Sequence, residues 1–416
     1  MVSELDHSRF GVVREQLVHW IWLTAFHKLW VEANIPAITK PSLLRLSQSS
    51  KKRKARDATG SMKKLGRYRL LLVALIIVAI FGGLSLRSSS ADQENNRGKP
   101  PYQVSHEVSA PQVFGEGVIS TVGDEIGGAF SPEGTDFYFS QFVPYTTVPR
   151  LGLLCVSHYR DGRWQTPEAL PFSGRYLDYP PKFDPSGVRM VFASSRPLPD
   201  GTRGAIRIWE VERTGAGWGE PTPLPSPINL AGSAWNGDPS LSANGTLYFS
   251  SDRGGDGNLH IYRSRLVDGK YSEPEKLGSE VNSDFSDYQP YVSPDEKILL
   301  FSAVGSGAPP YDHRPEELTG GGRPYARGDL YVSYSQDGKW SKAQHLEHGI
   351  NTEAEEEFPF LTPDGRYLFF SSERSDFTVP MTKRLDYQQL ERGLHSIFNG
   401  HGNVFFVGAK TLGGPK

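Results

Sequence analysis

A chain of 416 residues with 37% hydrophobic and 12% aromatic side chains has the apolar material for a packed core, and 44 Gly with 31 Pro mark one that turns often. A single cysteine, Cys155, excludes a disulfide framework. The net charge of -2 conceals two unlike parts: residues 1–91 carry 15 Lys and Arg against 5 Asp and Glu, and residues 92–416 carry 30 against 42, so the acidic body is a poor partner for nucleic acid.

In chain order, residues 1–68 are a basic segment that holds an apolar stretch, Leu17 to Trp30, and the run KKRKAR at 51–56. Residues 69–87 enclose 17 uncharged residues, LLLVALIIVAIFGGLSL from Leu70 to Leu86. As a helix this spans about 25 Å, a little under the ~30 Å of a bilayer core, so it reads as a short single-pass anchor or a long signal-peptide core. Lys63, Lys64, Arg67 and Arg69 crowd its N-terminal side, which places residues 1–68 in the cytoplasm and the body in the periplasm or outside the cell. A second reading starts at Met62: MKKLGRYRLLLVALIIVAIF has the layout of a secretory signal with a small-residue cleavage site near Ala91, which would make residues 1–61 an extension ahead of the true start. Residues 88–109 read as a linker.

From 110 to 416 the sequence repeats itself. Each unit has an apolar strand, a tight turn, a second strand ending in Phe, a third strand rich in Tyr and Ile, an Asp-Gly turn and a fourth strand opened by an aromatic residue. The tight turns are SPEG (131–134), DPSG (184–187), SANG (242–245), SPDE (293–296) and TPDG (362–365), and the second strands end at Phe139, Phe192, Phe249, Phe301 and Phe370. Fourth strands open at Trp164, Trp218, Tyr271 and Trp340. The fifth unit has none, and residues 110–120 at the other end of the body have the missing shape. Four short antiparallel strands per unit read as a propeller blade, so an all-β, five-bladed β-propeller is expected, closed by an N-terminal strand in its last blade.

Turns such as TPDGRYLFFSSER (362–374) and SANGTLYFSSDRGGDGNLHIY (242–262) resemble those of the TolB-type, WD-repeat-like propellers of bacterial envelope proteins. The resemblance covers 110–416. It implies a periplasmic or cell-surface propeller that recognises protein or glycan partners, and, since that family is commonly six-bladed, six blades as the alternative to the five counted. Enzymes occupy the same fold, so the resemblance does not decide activity.

Connections from strand two to three and from strand four to the next blade share one face of a propeller, and all the long ones here are of that kind: 196–204, 303–328 and 373–402, the last with a helical pattern over 385–398. Stepping back three residues from Gly128, Pro181, Pro239, Pro290 and Pro359 gives Glu125, Asp178, Asn236, Asp287 and Glu356, one acidic or amide residue per blade at the start of the innermost strand. Such a ring at the channel mouth suits a cation, a basic peptide or sugar hydroxyls, or else each member caps its own loop. Arg196, Arg253 and Arg374 follow strand two in three blades, as compensating charges for the ring or as ties between blades. Tyr311, His313, Arg314, Arg323, His395 and His401 are the loop candidates. Nucleophile-elbow, His-Glu-x-x-His and phosphate-loop motifs do not occur, and Asp252, Asp256 and Asn258 lack the EF-hand spacing. The expectation is a non-catalytic module, without cofactor or metal, that binds an envelope protein or glycan through its long-loop face and meets the membrane through 70–86 if that segment is uncleaved. The alternative is a lyase or hydrolase acting on carbohydrate or peptide, with Asp178, Asp287 or Glu356 and a loop histidine as acid and base.

Overall fold

The computed structural model describes residues 100–143, 151–215, 217–304, 328–377 and 384–414. The basic segment and the apolar stretch 70–86 lie outside them; among the described residues no helix is long and apolar enough to cross a membrane. Residues from Ala91 onward form one compact unit.

Among the described residues five antiparallel sheets of four or five strands form the blades, and a two-stranded ribbon, Leu266–Val267 with Lys270–Tyr271, lies at the end of the third. The innermost strands of the blades are Asp124–Phe130, Lys182–Phe183, Asn236–Leu241, Asp287–Val292 and Glu356–Leu361. Second strands run Asp136–Phe142, Arg189–Ser194, Leu247–Ser251, Ile298–Ala303 and Tyr367–Ser372, and third strands Gly152–Arg160, Arg207–Thr214, His260–Ser264, Asp329–Gln336 and Asn403–Gly408. The innermost strands of successive blades touch, and the fifth touches the first, so the ring is closed. It is a five-bladed β-propeller. The outer strand of blade five comes from the N-terminal side: Gln112 and Val113 pair antiparallel with Phe406 and Phe405. Residues 100–109, read as linker, pack on the same blades, with Tyr102 buried 4.6 Å from the Phe130 ring and Val108 accepting a 2.8 Å hydrogen bond from Gly408 N–H.

The second strands are buried on both faces. The reason is architectural. A blade packs between two others, so Phe139, Phe192, Phe249, Phe301 and Phe370 face one neighbour while Tyr138, Val191, Tyr248, Leu300 and Phe369 face the opposite way, and all ten are buried. The strand-two Phe rings stack on strand-three aromatics, as Phe301 does on Tyr331 and Phe370 on Phe405, both at 5.9 Å.

All five tight turns share one pattern, in which the first residue takes its backbone hydrogen bond from the fourth: Gly134, Gly187, Gly245, Glu296 or Gly365. Each of these fourth residues has positive φ, between +55° and +84°, which costs glycine little. Only Glu296 carries a side chain there.

A second recurring irregularity lies in the innermost strands. Pairing with strand two slips between Ile126 and Ala129, Gly237 and Ser240, Tyr288 and Tyr291, and Glu357 and Phe360. The slip centres on Gly127, Asp238, Gln289 and Phe358, all with positive φ. A bulge of this kind re-aims side chains. In blade two Pro180 and Pro181 occupy the same place and leave only a bridge, Asp178 to Ser194, ahead of Lys182. The helix anticipated over 385–398 is shorter, Tyr387–Leu394, and starts at a capping box in which Asp386 accepts from Gln389 N–H. It has no buried residue.

Candidate functional site at the channel mouth

Of the five ring positions, Asn236, Asp287 and Glu356 open their innermost strands, Glu125 is the second residue of its own and Asp178 forms the bridge ahead of Lys182, and every one is buried, at 0–1% exposure. Each is held by its own blade. Glu125 accepts from Thr121 N–H (2.9 Å), Thr121 Oγ1 (2.6 Å) and Gln141 Nε2 (2.9 Å). Asp178 accepts from Ser173 and Ser194 hydroxyls, both at 2.6 Å, and from Arg196 at 2.8 and 3.0 Å. Asn236 Oδ1 accepts from Ser251 and Arg253, both at 2.9 Å. Asp287 takes Ser283 N–H and hydroxyl at 2.6 and 3.0 Å, with buried His260 Nδ1 at 3.9 Å. Glu356 accepts from Thr352 N–H (2.9 Å), its hydroxyl (2.6 Å) and Ser372 (2.8 Å), with Arg374 Nε at 3.5 Å.

Burial pushes all four carboxyl groups up from their ordinary values, Asp287 to about 6, while the hydrogen bonds pull the other way. The three arginines also reach back across the blade boundary. Arg253 donates to Pro227 O (3.2 Å) and Ile228 O (2.5 Å), and Arg374 to Gly349 O (2.8 Å), carbonyls of the chain arriving from the previous blade. The ring is thus a set of braces joining the incoming loop, the innermost strand and the end of strand two.

Open space lies beside the braces. The bulge turns the residues one and two places further along each strand toward the channel, where a cavity of about 320 Å³ opens on the loop-bearing face. Phe142, Tyr179 and Trp235 form one wall as a chain of edge-to-face rings 5.4 and 5.2 Å apart, and Tyr288 and Phe358 also line the cavity. Trp235 lies over Gly237, where a Cβ would come within 2.6 Å of the indole nitrogen. Four carboxyl groups line the same cavity: Asp238, Glu355, Glu357 and Glu373. Burial raises Asp238 to about 6. Glu357 is driven well above the usual carboxylate range, first by burial and then by the charges of Glu355 and Glu373. Gln289 bridges the floor, donating to Glu357 Oε2 (3.0 Å) and accepting from Ser302 (2.8 Å) and Phe358 N–H (3.0 Å).

Tyr311, His313, Arg314 and Arg323 lie outside the described residues. His395 is bound to Glu391 O at the end of the helix (2.8 Å) and His401 to Val122 O (3.2 Å). Neither is hydrogen-bonded to a ring carboxylate. Asp252 is committed to the Ser233 hydroxyl and to Ala234 and Trp235 N–H groups, and Asp256 to His260 Nε2 at 2.8 Å. Among the described residues no cluster of three or more His, Cys, Asp or Glu is arranged to hold a metal ion.

Sequence reasoning missed two sets of residues. One is Asn229, Asn282 and Asn351, each of which grips the third strand of the blade before it, as Asn282 does with Ile261 N–H (2.8 Å) and Ile261 O (3.0 Å). Their signal was the repeated Ile-Asn or Val-Asn pair ahead of three of the ring positions, Asn236, Asp287 and Glu356. The other is the cavity lining, which carries no repeat signal because it differs from blade to blade.

No family model and no curated protein matches the sequence. Solved structures do. TolB from Acinetobacter baumannii is 15% identical with a TM-score of 0.36, over 60% of this chain and 51% of that one. This chain therefore spans about half the length of that structure. An α-L-arabinofuranosidase from Lactobacillus brevis is 14% identical with a TM-score of 0.39, over 69% and 92%. An endo-arabinase from Bacteroides thetaiotaomicron is 16% identical with a TM-score of 0.38, over 66% and 94%. At these identities the likeness concerns the fold alone.

Proposed function

We propose that this propeller is a binding module of the cell envelope, exported or anchored through residues 70–86, that takes a protein or glycan partner at its loop-bearing mouth. The observation that supports the reading is the contrast within the mouth. Positions that repeat in every blade are consumed by braces, and the adjacent unrepeated positions line an open cavity with buried and half-buried aromatic and carboxyl groups. Residues freed from the demands of the repeat are where a scaffold carries recognition.

The test is capture from envelope extract and from a glycan array by the full chain, against Trp235→Ala with Tyr288→Ala, with circular dichroism to confirm folding. Partners retained by the native chain and lost by the folded variant are the expected result. Equal retention by both would move recognition away from the cavity.

An enzymatic reading has one observation in its favour: Asp238 and Glu357 are both pushed up by burial, as a general acid requires. Turnover of an arrayed glycan or a peptide that disappears in Asp238→Asn or Glu357→Gln, with the fold intact, would establish it.

A further inference from the structure

Resting on that binding reading, we infer that the cavity receives an organic cation, an ammonium or guanidinium group, seated between the aromatic wall and the carboxyl groups. Asp238 carries the argument. It is 6% exposed and lines the cavity, and neither of its oxygens has a hydrogen bond of full geometry, the Ser250 hydroxyl, the Trp235 indole and Gln289 N–H lying only near enough to favour its charged form. A buried carboxyl left with both oxygens poorly matched is costly, and a bound donor removes that cost.

The indole nitrogen of Trp235 is likewise buried without a hydrogen bond of full geometry, near Asp238, and its ring packs edge-to-face on Tyr179. A basic group that does act on Asp238, Lys182, is turned elsewhere: its ammonium donates to Gly128 O at 2.8 Å, lies 4.5 Å from the Phe360 ring and lines the cavity at the opposite end of the channel. Among the described residues that line the loop-bearing cavity there is no Lys, Arg or His.

Aromatic faces attract cations through their quadrupole, and carboxylates supply both charge and hydrogen-bond acceptors, so walls of these two kinds select a cation with an apolar skirt. A bare metal ion suits the site less well, since hard cations take shells of oxygen ligands and gain little from aromatic walls. The volume of about 320 Å³ accommodates one side chain or one small amine.

Titration calorimetry of the full chain with Nα-acetyl-lysine methylamide, Nα-acetyl-arginine methylamide and choline tests this, with Nα-acetyl-norleucine methylamide as the uncharged match. We expect at least one cationic probe to bind tenfold or more tightly than norleucine. The tightest should weaken at least tenfold in Asp238→Asn, which keeps a residue tolerant of the +51° φ at that position. Glu373→Gln, a partly exposed change of charge without change of shape, should weaken it about threefold. Equal affinity for norleucine, indifference to both substitutions, or no binding of any cation by the folded chain would overturn the inference. The two readings fail separately. A partner captured at the cavity but indifferent to Asp238→Asn and to excess lysine probe would leave the binding module standing and remove the cation. A lysine probe that binds while no partner is ever captured would do the reverse.

Discussion

The cavities at the two ends of the channel are nearly equal in volume, about 320 and 310 Å³, and have different walls. The loop-bearing end shows five aromatic residues and four carboxyl groups that differ from blade to blade. The turn-bearing end shows Pro132, Pro185, Pro294 and Pro363, the same residue from four copies of one turn, above a largely apolar floor. A propeller must repeat what closes it and is free to vary what it does not need for closure. The turn end is nearly all closure. At the loop end, closure and variation sit in adjacent residues of one strand: Asp178 braces and Tyr179 lines, Asn236 braces and Asp238 lines, Glu356 braces and Glu357 lines.

Breaking a brace sharpens this contrast most. Arg196 is 7% exposed, bonded to Asp178 through both oxygens, with its guanidinium 4.9 Å from the Phe192 ring. Arg196→Ala leaves a fully buried carboxylate without its cation and should cost about 3–5 kcal/mol in denaturant unfolding. Binding at the cavity should persist in the fraction that stays folded. If Arg196→Ala abolishes binding and leaves stability unchanged, the brace and the site have been assigned the wrong way round.

Lys182, between the two ends, gives the next largest effect and a pH signature. Burial lowers its ammonium to about 7, while Asp238 and Asp287 are raised to about 6 by burial. A depressed lysine contributes stability that is present above its unfolded value and lost as pH falls toward 7. A raised carboxyl contributes stability that is present below its unfolded value and lost as pH rises toward 6. Together these three groups contribute least near pH ~6.5, and a comparison of Tm against pH between the native chain and variants at these positions reads that contribution. Lys182→Met, similar in volume, removes the desolvation of the ammonium and should flatten the alkaline limb. Asp238→Asn should flatten the acid limb. A Tm difference between the native chain and these variants that does not change with pH would refute the pairing of these shifts.

The same contrast explains what the sequence could disclose. Blade number was legible because the turns and a buried Phe must recur wherever a blade packs between two others, although that Phe lies inside strand two, which runs two or three residues beyond it, and not at its end. The ring was legible as a set of equivalent positions, because bracing the incoming loop is a demand each blade makes. Its burial was not legible: a strand pattern read at period two takes the bulge for regular strand, and the bulge shifts the channel-facing position from the ring residue to its neighbours. Trp235, Asp238 and Glu357 could not be found by comparing blades, since their value lies in being unlike one another.

The smallest effect concerns the turn end, where Glu296 is the one departure from its own repeat. At φ +55° it holds a conformation that four other turns give to glycine, and a non-glycine residue there costs about 1 kcal/mol. Its carboxylate accepts from Ser242 Oγ at 2.8 Å and Tyr248 hydroxyl at 3.2 Å, tying the turn of blade four to blade three. Burial alone would raise this group, but hydrogen bonds led by Ser242 hold it below the usual carboxylate range. Glu296→Gly removes the backbone cost and loses two bonds worth about 0.5–1.5 kcal/mol each, so a net loss of about 1 kcal/mol is expected at pH 7. Because the depressed carboxyl contributes only above its unfolded value, the loss should fade as pH drops through about 4, which thermal melts at pH 7 and pH 3.5 would read. A variant more stable than the native chain at pH 7 would mean that the tie between the blades contributes less than the strain it imposes, and that blade four tolerates its glutamate rather than using it.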